Sequence, residues 1–318
     1  MGLLVEGQWV DRWYKPDDDG RFVRPDAVFR QWVTDDGSTP FAPEAGRYHL
    51  YVSLACPWAH RTLIARRLRG LESAIGLTIV QAKMGAEGWE IAGEGDRSDP
   101  VNGASRMFEV YRAADPNFSG RVTVPVLWDK KTNTIVNNES REILRMFDTV
   151  FTAIAERPEV RFWSQEQSDA IDAMIDTNYE SVNNGVYKSG FASSQAAYED
   201  AVMTLFERLD ALDELLGAQR YLCGDAITEA DWCLFTTLVR FDPVYHGHFK
   251  CNVRRIQDYP HLSGYLRELY QVPGVRETVD LDEIQTHYYW SHESINPTRI
   301  VPVGGRSDLD APHGRDGF

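Results

Sequence analysis

Between residues 48 and 81 the spacing of apolar positions changes twice. Tyr48-His-Leu-Tyr-Val-Ser53 alternates as a strand does; after Pro57, Leu63, Ile64 and Leu68 recur at helical spacing until Gly70. Leu77-Thr-Ile-Val-Gln81 predicts a second strand. Residues 83–120 are rich in Gly, Asp, Pro and Ser and read as a long ordered loop, of the kind that serves a function inside a compact domain. Val122–Asp129 predicts a strand entered through a proline, Thr134–Asn137 its hairpin partner, and Glu139–Phe147 a helix. The order βαβ…ββα, with the last two strands antiparallel, suits a thioredoxin-like α/β layer: a mixed sheet carrying helices.

Beyond a break at residues 155–158 the strand signal fades. Apolar residues at 171, 174 and 175, then at 201, 202, 205, 206, 209, 212, 215 and 216, keep helical period. Thr228 and Asp231 have the form of a capping box ahead of Trp232–Val239. Pro260–Tyr270 and Leu281–Tyr288 add helices, so the second domain is expected to be all-α. Residues 1–45 mix aromatic, charged and turn residues and read as an irregular extension laid over the folded body. The expected division is an extension at 1–45, an α/β domain at 46–150, a helical domain at 160–290 and an irregular tail at 291–318.

Composition narrows the function classes. A chain of 318 residues with 43% apolar residues has room for two cores, and 25% charged residues argue against wholesale disorder. A net charge of −15 with no long run of Lys and Arg excludes a nucleic-acid partner. No apolar stretch reaches the roughly 18 residues of a spanning helix, so no membrane is expected. The first residues lack the basic and apolar regions of a signal peptide, and Glu6 stands where a myristoylation signal wants Ser or Thr. A cytoplasmic protein is expected. None of Cys56, Cys223, Cys233 and Cys251 forms a C-x-x-C pair, so neither a disulfide framework nor a metal site is expected. Cys233 and Cys251, flanking His246 and His248, match no familiar zinc spacing and read as buried thiols.

Cys56 is different. A cysteine between a strand and a Pro-initiated helix sits where unpaired amides and the helix dipole favour negative charge, so its thiol is expected to ionise more readily than usual. Without a second thiol it forms a mixed disulfide with a small thiol and cannot resolve it internally. The competing reading is a core cysteine before an ordinary helix. In Thr123-Val124-Pro125, a cis proline would leave the backbone of Val124 free for a peptide-like ligand; a trans proline at a strand start is the alternative. Glu139-Ser140 opens a helix whose amides and hydroxyl suit an α-carboxylate while Glu139 suits an ammonium; plain capping competes.

Together, Cys-Pro-Trp-Ala after the first strand, Val-Pro before the third and Glu-Ser at the third helix resemble the glutathione transferase fold. Asn183–Phe191, Arg240–Lys250 and His287–Pro297 resemble the glutathionyl-hydroquinone reductases, the Xi class, over nearly the whole chain. That resemblance implies Cys56 as nucleophile and Trp89 as a ring stacked on glutathione. It implies that Arg121, Val122, Thr123 and Val124 form the segment that pairs with the tripeptide, and that Glu139 and Ser140 clamp its γ-glutamyl end. Tyr187 matches a tyrosine that exchanges a proton with the aromatic substrate; Tyr245 and Tyr288 match tyrosines whose hydroxyls approach the cysteine sulfur. The implied activity is reduction of glutathionyl-hydroquinones by glutathione, a co-substrate, in a homodimer without metal. An omega-like thioltransferase or dehydroascorbate reductase shares Cys56 and the clamp without needing Tyr187. A non-catalytic binding module of the same fold predicts an unreactive Cys56.

Overall fold

The computed structural model describes residues 2–318, whose backbone divides into two compact units. One comprises residues 2–13, Asp26–Arg161 and Asp282–Ser291; the other comprises Tyr14–Pro25, Phe162–Leu281 and His292–Phe318. These boundaries depart from those expected from sequence. The extension is shared between the units, and the last helix belongs with the α/β unit. Helical period reveals that a segment is a helix but not which surface receives it.

In the first unit, strands β1 (Leu3–Val5) and β2 (Gln8–Val10) precede β3 (Tyr48–Val52), helix α1 (Pro57–Leu68) and β4 (Ile75–Ile79). Helix α2 (Met107–Ala114), β5 (Gly120–Arg121), β6 (Val126–Asp129), β7 (Thr134–Asn137) and α3 (Ser140–Thr149) follow. The main sheet has the order β4-β3-β6-β7, with β3 parallel to β4 and antiparallel to β6, and β6 antiparallel to β7. That is the mixed sheet the element order predicts. Central β3 is buried along its whole length, and its start is tied to the end of β6 by Arg47, which donates to both oxygens of Asp129 at 2.7 Å. Helices α1 and α3 pack against each other. Gly70 turns the chain just past the end of α1: its φ of +64° suits glycine, and its Cβ would lie 2.8 Å from Glu156 Cβ.

Two expectations need correction. Residues 83–120 are not all loop: α2 lies within them, with Glu109 Oε2 accepting the amides of Ser105 and Arg106 at 2.6 and 3.1 Å. The polar composition of the flanking turns obscures its buried Met107, Val110 and Tyr111. Nor is the extension wholly irregular. Glu6 and Gly7, both at positive φ, turn β1 back into β2, and β1 pairs with β5 to make a three-stranded sheet. Three-residue strands are too short to show a period.

The second unit is helical, as predicted: α4 (Ser168–Asn178), α5 (Gly185–Gly190), α6 (Gln195–Ala218), α7 (Glu229–Arg240) and α8 (Leu262–Tyr270). The remaining helix, α9 (Leu281–Ser291), contributes Asp282–Ser291 to the first unit. Wide turns at Tyr179–Asn183 and Phe241–Tyr245 follow α4 and α7. The predicted capping box at Thr228 and Asp231 is present. No helix among the described residues is long and apolar enough to cross a membrane.

Candidate active site around Cys56

Strand β3 delivers the chain to a tight turn in which Cys56 N–H donates to Ser53 O at 3.2 Å. Cys56 then caps α1 from extended backbone, with Pro57 in the first turn. Its sulfur accepts from Ala59 N at 3.5 Å and lies 3.6 Å from Val124 O, to which the thiol donates. The residue is half-buried, in contrast to Cys233 and Cys251, which are sealed in the helical unit. Burial pushes the Cys251 thiol up to about 12. The sequence expectation of buried thiols there fits this placement.

Val124 and Pro125 are joined by a cis peptide bond. The segment before them is held by Tyr111 of α2: its hydroxyl donates to Thr123 O at 3.1 Å and lies 3.3 Å from Thr123 N, while Asn138 Nδ2 donates to it at 3.0 Å. Val122 and Val124 are buried. The Arg121 side chain is turned to the extension, where it donates to the carbonyls of Arg12 and Trp13, the latter at 2.9 Å.

Glu139 caps α3, its carboxylate accepting from Arg141 N at 3.2 Å, and Ser140 Oγ lies 3.4 Å from Glu139 Oε1. The sequence reading missed Arg61. This buried side chain on α1 places Nη1 3.4 Å from Ser140 Oγ and its guanidinium 4.5 Å above the Trp58 ring. It thereby links the start of α3 to the helix that Cys56 caps. A charged residue among the apolar positions of α1 was the available signal.

Trp89 is only 3% exposed. Its ring stacks on His287 of α9 at 4.6 Å and 20°, and its indole N–H has no acceptor among the described residues. Tyr288, buried beside His287, joins the same unit. The loop between β4 and α2 is ordered by Asp99, which accepts from Tyr51 OH at 2.9 Å and from the amides of Val101 and Asn102 at 3.0 and 3.1 Å.

Tyr187 and Tyr245 belong to the helical unit. Their rings are 6.1 Å apart and share a cluster with Phe249, which lies 5.5 Å from each and is nearly parallel to Tyr245. Phe22 and Phe191 stack on Tyr187 at 6.4 and 6.3 Å. The wide turn at Phe241–Tyr245 places Tyr245 in that cluster, fully buried. The α/β unit therefore gathers Cys56, Val124, Glu139, Ser140, Trp89 and Tyr288, and the helical unit gathers the other two tyrosines.

Residues 55–150 match the family model of the glutathione S-transferase N-terminal domain, and residues 195–268 match that of the C-terminal domain. Glutathionyl-hydroquinone reductase YqjG of Escherichia coli K12 is 50% identical over 325 residues, covering 99% of each chain. The glutathione-bound structure of that protein matches this fold with a TM-score of 0.90 over 99% of each chain at 48% identity. A Xi-class transferase from Natrialba magadii matches with a TM-score of 0.92, at 48% identity over 99% of this chain and 97% of that one.

Proposed function

The chain belongs to the Xi class of the glutathione S-transferase family, and on that premise we propose that it reduces glutathionyl-hydroquinones to hydroquinones at the expense of glutathione. The observation that carries the reading is Cys56 at the mouth of α1, half-buried and 3.6 Å from Val124 O. A sulfur so placed has amide hydrogens to stabilise its anion and a backbone edge to align a tripeptide thiol against it. Glutathione is the co-substrate. Val124 pairs with its backbone, Glu139 and Ser140 receive its γ-glutamyl end, and the ring of Trp89 stacks on it. Arg121 acts through the extension, whose carbonyls it holds.

The substrate carries sulfur on an aromatic carbon. In the proposed sequence Tyr187 gives a proton to that carbon and regains one from a ring hydroxyl as the keto tautomer forms. The Cys56 thiolate attacks the glutathione sulfur, the carbon–sulfur bond breaks, and its electron pair returns to the ring, which rearomatises. The resulting phenolate takes a proton from water to give the hydroquinone. The carbon is reduced, and sulfur is oxidised to a Cys56–glutathione disulfide. A second glutathione attacks this disulfide, releasing oxidised glutathione and the Cys56 thiolate. Tyr288, which belongs to the same unit as Cys56, donates to the sulfur and favours its ionised form. A cytoplasmic homodimer completes the reading.

The test separates the two half-reactions. Mixed with a glutathionyl-hydroquinone and no free glutathione, the protein is expected to release one hydroquinone and to carry one glutathionyl group on the peptide containing Cys56. Added glutathione then removes that group. Hydroquinone release with Cys56 unmodified, under conditions that trap the disulfide, sinks the reading.

A further inference from the structure

Residues Tyr14–Pro25 are the part of the extension that joins the helical unit, and they form a pinned strap. Asp17 Oδ1 accepts the amides of Asp19 and Arg21 at 3.1 and 2.7 Å, closing a turn in which Gly20 adopts a φ of +84°. That turn is anchored ahead of α6: Ser193 N donates to Gly20 O at 2.9 Å and Ser194 Oγ to Asp19 O at 2.8 Å. A Cβ at Gly20 would lie 2.8 Å from Ser193 Oγ and 3.0 Å from Ser194 N, so the anchor requires glycine twice over.

Past the anchor, the strap lays two side chains on Tyr187. The ring of Phe22 stacks on it at 27°, and the Arg24 guanidinium sits 5.0 Å from the centre of its ring. Arg24 Nε also donates to Asn184 Oδ1 at 3.2 Å. The carbonyl of that same Asn184 accepts Tyr187 N at 3.0 Å, so one residue fixes both the cation and the helical turn that carries the phenol. Among the ring's other neighbours, Tyr245 is titratable, whereas Phe22, Phe191 and Phe249 are neutral.

We propose that Arg24 is a positioning residue for Tyr187, holding the phenol in place and stabilising negative charge on it while it exchanges a proton with the aromatic substrate. A cation over an aromatic face is attracted by its π electrons, and more strongly when the ring becomes a phenolate. The extension thus supplies a working part of the helical unit as well as a cover. This inference rests on the proton-transfer role given to Tyr187 above.

The test uses the full chain labelled with carbon-13 at tyrosine Cζ, the Tyr187 signal being assigned with Tyr187→Phe. In Arg24→Met the Tyr187 titration midpoint is expected to rise by about one pH unit, and in Arg24→Lys by less than half of that. Turnover of glutathionyl-hydroquinone by Arg24→Met should fall about tenfold in kcat with KM within about twofold, because the cation acts on the proton transfer. Gly20→Ala, which loosens the anchor without touching the ring, should move both readouts in the same direction. An unmoved Tyr187 titration in Arg24→Met overturns the inference without recourse to turnover, as does an equal loss of kcat from Arg24→Met in a Tyr187→Phe background. A moved titration together with a fully active Tyr187→Phe variant overturns the reading of Tyr187, and with it the catalytic use of Arg24.

Discussion

Each unit starts a buried helix from a sharp turn, and the two helix mouths are finished in opposite ways. At α7, Asp231 Oδ2 accepts Thr228 N and Thr228 Oγ1 at 2.7 and 2.9 Å, and its Oδ1 accepts Leu222 N and Tyr265 OH at 2.9 and 2.7 Å. Four short bonds to a fully buried carboxylate lock that mouth shut. At α1 the cap is a half-buried sulfur taking Ala59 N at 3.5 Å. Sulfur is a weak acceptor, so a thiol cap leaves the capacity of the first-turn amides to be used when it ionises. The saturated mouth stabilises the fold, and the soft one is where the proposed chemistry takes place.

The most drastic way to break this contrast is Cys56→Ser. Turnover is expected to fall about a thousandfold or more, because an alkoxide is not populated and cannot form the disulfide. A serine caps a helix well, so the unfolding midpoint should hold or rise. Undiminished turnover would remove the functional side of the comparison. Asp231→Ala attacks the other mouth. Stripping the acceptor from four buried donors should cost about 4 kcal/mol, seen as a lower denaturant midpoint, while Cys56 in the folded variant keeps its alkylation rate against pH. A coupled change in that rate would show that the two mouths are not independent.

A smaller effect sharpens the comparison on the strand that leads to α1. Burial pushes the His49 imidazole down to about 4, with its ring hydrogen-bonded to Thr78 Oγ1 at 2.8 Å. The unfolded chain therefore binds this proton first as pH falls below about 6.5. Stability that is complete above that pH is lost down to about 4, by up to about 3 kcal/mol. His49→Gln should flatten that part of the acid limb in denaturation series, and an unchanged slope would assign the acid sensitivity elsewhere.

Both mouths were legible in the sequence because each is a short-range arrangement. Cys56-Pro57 after an alternating strand and Thr228-x-x-Asp231 before an apolar run each span only a few residues, and capping is decided over that distance. The β-α-β-β-β-α order was readable for the same reason. Helix α2 escaped notice because its start, with Glu109 closing back on Ser105 and Arg106, is set in a stretch dense in Gly, Asp and Pro. The hairpin of β1 and β2 escaped because its Glu6-Gly7 turn and three-residue strands carry too little pattern.

What the amino-acid order settled by itself was the kind of each long element and the cap of each key helix, Cys56 at α1 included, since local sterics and hydrogen bonds decide these. What only the packed molecule decided was which distant groups meet: Trp89 with His287, Arg61 with Ser140, Tyr111 with Thr123, and Arg24 with Tyr187. Such pairings depend on the burial of surfaces contributed by many segments at once. No window of sequence holds that sum, so partners far apart along the chain emerge only when the whole core closes.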